Sequence, residues 1–195
     1  MKFNSDSNNT NQTNATAKEK IVGRDDNSSN NSFHFHENPQ SQIDRWIQKL
    51  HYEMENNERI YDMVESLQFY QKQIPYDDIV GLENKLSHSG RDSQRIKALL
   101  KKEEFTKLLD KWGAYASAQE IIAYLLSRID TLYETEVQPV INSGATNDEI
   151  DKLFRVKVID PVINEVKSAP FLINYNHVSG MVYWLAELCF VRWHK

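Results

Sequence analysis

The chain has 195 residues, 40% hydrophobic and 26% charged, with six Gly, five Pro and a formal charge of −5. That length suits one domain with a tail or two small domains, and it folds without a metal or disulfide staple. The composition excludes collagen-like and disulfide-scaffold classes, and the acidic balance argues against a broadly phosphate-binding surface.

No run of about 18 apolar residues is present, so no membrane association is expected. The start, Met1-Lys2-Phe3-Asn4-Ser5-Asp6, lacks the apolar stretch of a secretory signal, and Cys189 is the single cysteine. Both point to the cytoplasm.

Residues 1–17 are a polar Asn/Ser/Thr tract with one large apolar side chain after the initiator, Phe3. Such a tract cannot offset chain entropy and is expected to be disordered. Residues 18–38 read as a short β-hairpin: Lys20-Ile21-Val22, an Asn/Asp/Ser turn cluster, then Phe33 and Phe35 on one face.

After Pro39 the pattern becomes helical. Ile43, Ile47, Leu50 and Met54, then Ile60, Val64 and Leu67, keep i, i+3, i+4 spacing past Asn56-Asn57. One long amphipathic helix from Ser41 to about Gln73 is predicted, ended by Pro75. A shorter helix is predicted from Asp77 to about His88.

Residues 91–142 are nearly all helix formers, with Gly113 as an interruption. Ile96, Leu99, Leu100, Phe105, Leu108, Leu109 and Trp112 are expected on one side of the first half. Ile121 to Leu132 form a broad core face. Gly144 closes that helix, and Thr146-Asn147-Asp148-Glu149 is a capping box. Pro161 starts another short helix. The last block, Met181 to Leu188, is apolar almost all round, and Cys189 to Trp193 reads as helix continuation or short strand.

The fold class is therefore mainly α: a helical bundle with one long amphipathic helix, a disordered N-terminus and a short N-terminal β-hairpin. The domains are 1–17, 18–38 and 39–195.

Signatures of catalysis are missing: no Gly-rich phosphate loop, His-Glu-x-x-His, Gly-x-Ser-x-Gly or Cys-x-x-Cys occurs. His34 and His36, even with His51, are too few for a structural zinc site. Cys189, with His177 or His194 as base, sits between Leu188 and Phe190, where a thiol stays inert. Asp148, Glu149 and Asp151 suit a helix dipole better than acid/base work. No cofactor, metal or catalytic residue is expected. Arg95, Lys97, Lys101 and Lys102 open a basic stretch to Lys111 that reads as a solvated face, with a nucleic-acid face as the alternative.

The carboxy-terminal block, Gly180-Met181-Val182-Tyr183-Trp184-Leu185 then Cys189 and Arg192-Trp193, resembles the end of C-terminal domains in bacterial ABC-three-component systems. Gly81-Leu82-Glu83-Asn84-Lys85-Leu86, Ser117 to Leu126, Asp148-Glu149-Ile150-Asp151 and Ile159-Asp160-Pro161-Val162 fit in the same order. The resemblance spans roughly residues 40–195. It implies a prokaryotic conflict or anti-phage module in which an SMC-like ABC ATPase works with a middle component and a third protein. That third protein carries this domain, often behind an effector such as a nuclease. Residues 1–38 are too short for a folded effector, so an adaptor alone, or one that acts through a separate effector protein, is expected.

The expected function is a non-enzymatic adaptor of a defence complex, binding an SMC-like ABC ATPase and a middle or effector component. Tyr, Trp and Arg favour binding hot spots, which nominates Tyr183, Trp184, Arg192 and Trp193, with Ile43, Ile47 and Leu50 from the amphipathic stripe. Alternatives are a homo-oligomeric scaffold, or a DNA-associated accessory protein that uses the basic face.

Overall fold

The computed structural model describes residues 39–74, 78–167 and 173–195. The expected tail, the expected hairpin and Pro75 lie outside them. Among the described residues the fold is helical, with no strand.

Helix α1, Pro39–Glu55, buries Ile43, Ile47 and Leu50 in the core, packed chiefly on α5, Ala116–Leu132. It does not run on to Gln73 as its stripe suggests. Asn57 takes φ 51°, the Glu58 amide donates to the Glu53 carbonyl at 2.8 Å, and the Asn57 amide donates to the Met54 carbonyl at 3.3 Å. These are the paired bonds of a Schellman turn, which Asn tolerates.

The stripe continues through a loop. The Ile60 amide donates to the Ala114 carbonyl at 2.8 Å, and the Val64 amide donates to Gln119 Oε1 at 2.6 Å. A five-residue helix, α2 (Glu65–Phe69), then places Leu67 in the same core.

Helix α3 is Leu82–His88, starting later than the apolar spacing predicts because Gly81 adopts φ 86°. A 3-10 turn, Asp92–Gln94, leads into α4, Arg95–Trp112. Buried Arg91 ties this entry to the rest of the chain. Its Nη1 meets Asp151 Oδ1 at 2.6 Å, and Gln94 Nε2 donates to Asp151 Oδ2 at 3.0 Å.

The long rod α5 continues through a π-helical segment, Tyr133–Val137, into α6, Gln138–Ser143, and stops at Gly144 (φ 89°). A second rod joins α7 (Asn147–Leu153), a π segment (Phe154–Ile159) and α8 (Asp160–Glu165). Its capping box is present, with the Thr146 amide and hydroxyl both donating to Glu149 Oε2. These donors hold the Glu149 carboxyl below the usual range.

The last helix, α9 (Tyr175–Glu187), packs most extensively against α4. A Cβ at Gly180 would lie 2.2 Å from the Lys101 carbonyl oxygen, so hydrogen at this position permits the approach. The α4 side chains facing inward are Ala98, Phe105, Leu108 and Leu109. Ile96 and Leu100, expected on that side, are exposed instead, because α9 covers only the Ala98–Phe105 stripe.

Residues 188–195 form neither helix nor strand, contrary to the reading of Cys189 to Trp193. Cys189 takes φ 72°. Its amide donates to the Ala186 carbonyl at 3.2 Å, and the Phe190 amide donates to the Leu185 carbonyl at 2.9 Å. This second Schellman turn, with cysteine where glycine is usual, bends the chain into a hook.

Candidate functional site

The hook builds one wall of a surface groove of about 330 Å³ with Cys189, Phe190 and Arg192. The opposite wall is Phe69 at the end of α2 and Ile74. Asp130, Tyr133, Glu134 and Gln138 form the floor.

Two hydrogen bonds and two ring contacts hold the walls together. Trp184 Nε1 donates to the Tyr70 carbonyl at 3.0 Å, and the Ile74 amide donates to the Leu188 carbonyl at 3.0 Å. The Phe190 ring packs on Phe69 at 5.6 Å and on Tyr70 at 5.2 Å. Phe69 remains 52% exposed and Ile74 37%, so an aromatic and an aliphatic side chain stay open to solvent at the rim.

The floor is electrostatically unusual. Asp130 and Glu134 lie one helical turn apart where the α-helix passes into the π segment. Among the described residues neither carboxylate has a hydrogen bond or ion pair. Burial, then the neighbouring Glu134 charge, pushes the Asp130 carboxyl up to about 6. Between them Tyr133 is 1% exposed, and its hydroxyl has no hydrogen-bond partner. Burial raises that hydroxyl to about 12, while the adjacent Arg192 opposes the rise. π segments are frequent at functional positions. Here the segment marks the stretch where Asp130, Tyr133, Glu134 and Gln138 line one face.

The nominated interface residues separate. Arg192 lines the groove. Trp184 is half-buried, with its nitrogen bonded to Tyr70 and its ring 5.7 Å from Phe105. Trp193 is buried against Phe154 and Tyr183, both at 5.9 Å. Ile43, Ile47 and Leu50 pack inside the chain's own core and offer no partner face.

Tyr183, Trp193 and Lys101 help line a second cavity of about 210 Å³ with Gln94, Asp151 and Phe154. Burial, then the Asp151 charge, pushes the Tyr183 hydroxyl above its ordinary range.

The basic stretch does not present one cationic face. Arg95 faces Glu83 at 3.4 Å, Lys102 pairs with Glu187 at 3.1 Å, and Lys107 pairs with Glu103 at 2.8 Å. Lys101 turns toward the second cavity, which leaves Lys97 exposed by itself among the four nominated cations. The other candidate groups serve the fold: His177 Nδ1 accepts from the Asn174 amide in the cap of α9, and His194 packs 5.1 Å from His88. Among the described residues no group of three His, Cys, Asp or Glu converges as a metal site would need.

The acidic groove floor escaped the sequence reading. Asp130 and Glu134 have the spacing of any solvated helix face, and the one hint was the carboxylate pair without a basic partner four residues away.

Fold and site together define a helical domain whose chain end is folded back to make a surface groove. Residues 81–193, more than half of the chain, match CTD9, the C-terminal domain 9 of the ABC-three component (ABC-3C) systems. The chain belongs to this family. The match runs from left-handed Gly81 to Trp193 of the hook, so α1, α2 and residues 70–74 precede it. No curated protein and no solved structure matches the chain. Among the described residues no helix is long and apolar enough to cross a membrane.

Proposed function

We infer that this chain is a non-enzymatic adaptor of a bacterial defence complex, binding the SMC-like ABC ATPase of its system and the associated component through the groove beside the hook. The observation that carries this reading is the coincidence of two facts. The domain is of a kind that belongs to a multi-component system. Its groove leaves Phe69 and Ile74 exposed next to Phe190 and Arg192. Exposed aromatics beside an arginine around a concave floor are the usual anchors of a protein interface. The groove's size suits one or two inserted side chains.

Co-expression of the full chain with the tagged ABC ATPase and middle component of its system tests the reading. Near-stoichiometric co-purification is expected, with loss of the complex for Phe69→Ser/Ile74→Ser while the circular dichroism spectrum stays helical. Failure of the unaltered chain to co-purify overturns the adaptor reading.

A further inference from the structure

The groove holds half-buried Asp130 and exposed Glu134, with no ion pair to either among the described residues, next to the apolar side chains of Phe69, Ile74 and Phe190. Arg192 supplies one positive charge beside Tyr133, so Asp130 and Glu134 leave an excess of one negative charge. For half-buried Asp130 an uncompensated charge is costly, and a groove with this carboxylate beside Glu134 and an apolar rim is complementary to a cation with an apolar body. Lysine and arginine have that form, an aliphatic stem below a charged head. The buried Tyr133 hydroxyl, which lacks a hydrogen-bond partner, adds an acceptor that the N–H groups of a guanidinium or ammonium satisfy and an apolar side chain does not.

We propose that the groove receives a lysine or arginine side chain of the partner component, with Asp130 and Glu134 as its counter-ions, Tyr133 as an acceptor, and Phe69, Ile74 and Phe190 around its stem. This rests on the adaptor reading and names the chemistry that the partner must present. The second cavity is less informative, because Asp151 there is already held by Arg91 and Gln94.

The test uses the full chain with p-benzoylphenylalanine in place of Phe69, co-expressed with the ABC ATPase and middle component. Irradiation is expected to give a cross-link within a few residues of one lysine or arginine of a partner component. Asp130→Asn/Glu134→Gln is expected to weaken the complex at least tenfold. Asp130→Lys is expected to abolish it, and changing the cross-linked partner cation to Glu restores it. Undiminished co-purification of the double amide variant overturns the proposal and leaves the adaptor reading standing. So does a cross-link that stays within the chain or joins two copies of it.

A second probe needs no partner protein. N-acetyl-phenylalanyl-arginine amide, titrated into the isotope-labelled chain, should shift the amide resonances of residues 130–138, and the uncharged N-acetyl-phenylalanyl-glutamine amide should not. If no complex forms but this discrimination appears and disappears with Asp130→Asn, the adaptor reading falls and the cation site stands. Equal response to both amides overturns the site.

Discussion

The buried ammonium of Lys85 donates to the main-chain carbonyl of Ala186 at 2.8 Å and to that of Val191 at 3.3 Å. In the other direction, Glu187 Oε2 accepts from the Leu82 amide and from Lys102 Nζ, each at 3.1 Å. The start of α3 and the end of α9 thus exchange caps: a cation on the carbonyl end of one helix, an anion on the amide end of the other. This clasp fixes where the hook leaves α9, and the hook is a wall of the groove.

Lys85→Met keeps the stem and removes the donors. Charged hydrogen bonds contribute about 1.5–3 kcal/mol each, offset by release of the desolvation cost of a buried charge. A net loss of about 1–3 kcal/mol in urea denaturation is expected, with faster hydrogen exchange at Phe190 and Val191. A variant as stable as the parent, with unchanged exchange, shows that the clasp does not hold the hook.

Gly180→Ala places a methyl group 2.2 Å from the Lys101 carbonyl oxygen and 2.8 Å from Phe105 Cβ. Both neighbours belong to α4, so the helices must separate or bend. Overpacking of this kind costs about 1–3 kcal/mol. Thermal unfolding should fall accordingly, despite the higher helix propensity of alanine. An unchanged or raised midpoint contradicts the close approach.

Buried Glu53 caps α5 from another helix. Its Oε1 accepts from the Ser117 hydroxyl at 2.8 Å and its Oε2 from the Ser117 amide at 3.1 Å. Glu53→Ala leaves both donors inside the core, at a cost of about 2–3 kcal/mol. Glu53→Gln should retain part of that stability. Equal loss in both variants assigns the effect to charge in place of the cap.

Asp130→Asn should raise stability while it lowers partner binding. The native carboxyl is pushed up to about 6, against about 3.9 in an unfolded chain. Between those values the folded state holds more protons, so this group's contribution is full below about pH 4 and is lost as pH rises through about 6. Partial solvent exposure screens the effect to about 1–2 kcal/mol. The Asn variant should therefore match the parent near pH 4 and exceed it by that margin at pH 8, by denaturant titration at both values. A parent more stable than Asp130→Asn at pH 8 contradicts the uncompensated carboxylate. The charged groups that share the site are Glu134 and Arg192, with the neutral hydroxyls of Tyr133 and Tyr70 beside them.

Pairing Trp193→Ala with Arg192→Glu, a natural choice from sequence, does not isolate an interface, because Trp193 is buried and its truncation removes core packing. The exposed pair Phe69 and Ile74 serves that purpose.

Helix type, the stops at Gly113 and Gly144, the Thr146 box and the burial of Met181 and Leu185 were legible in the residues, since each depends on neighbours within a turn or two. The family too could be read from the order of short motifs along the chain. The break after Glu55 was not legible, because an Asn-Asn pair fits a polar step on a continuous helix as well as a left-handed turn. Nor was the outward side of α4, because Ile96 and Leu100 have core spacing and only α9 decides which stripe it covers.

The sequence by itself determined that this chain is helical, where α3, α4 and α6 end, and to which family it belongs, because those depend on local backbone preference and short patterns. Only the tertiary structure decided that Asp130 differs from an ordinary surface carboxylate such as its exposed neighbour Glu134. Its desolvation comes from α2 and from a hook about sixty residues further along the chain, and the loss of water around a charge is a property of what packs beside it, whatever its place in sequence.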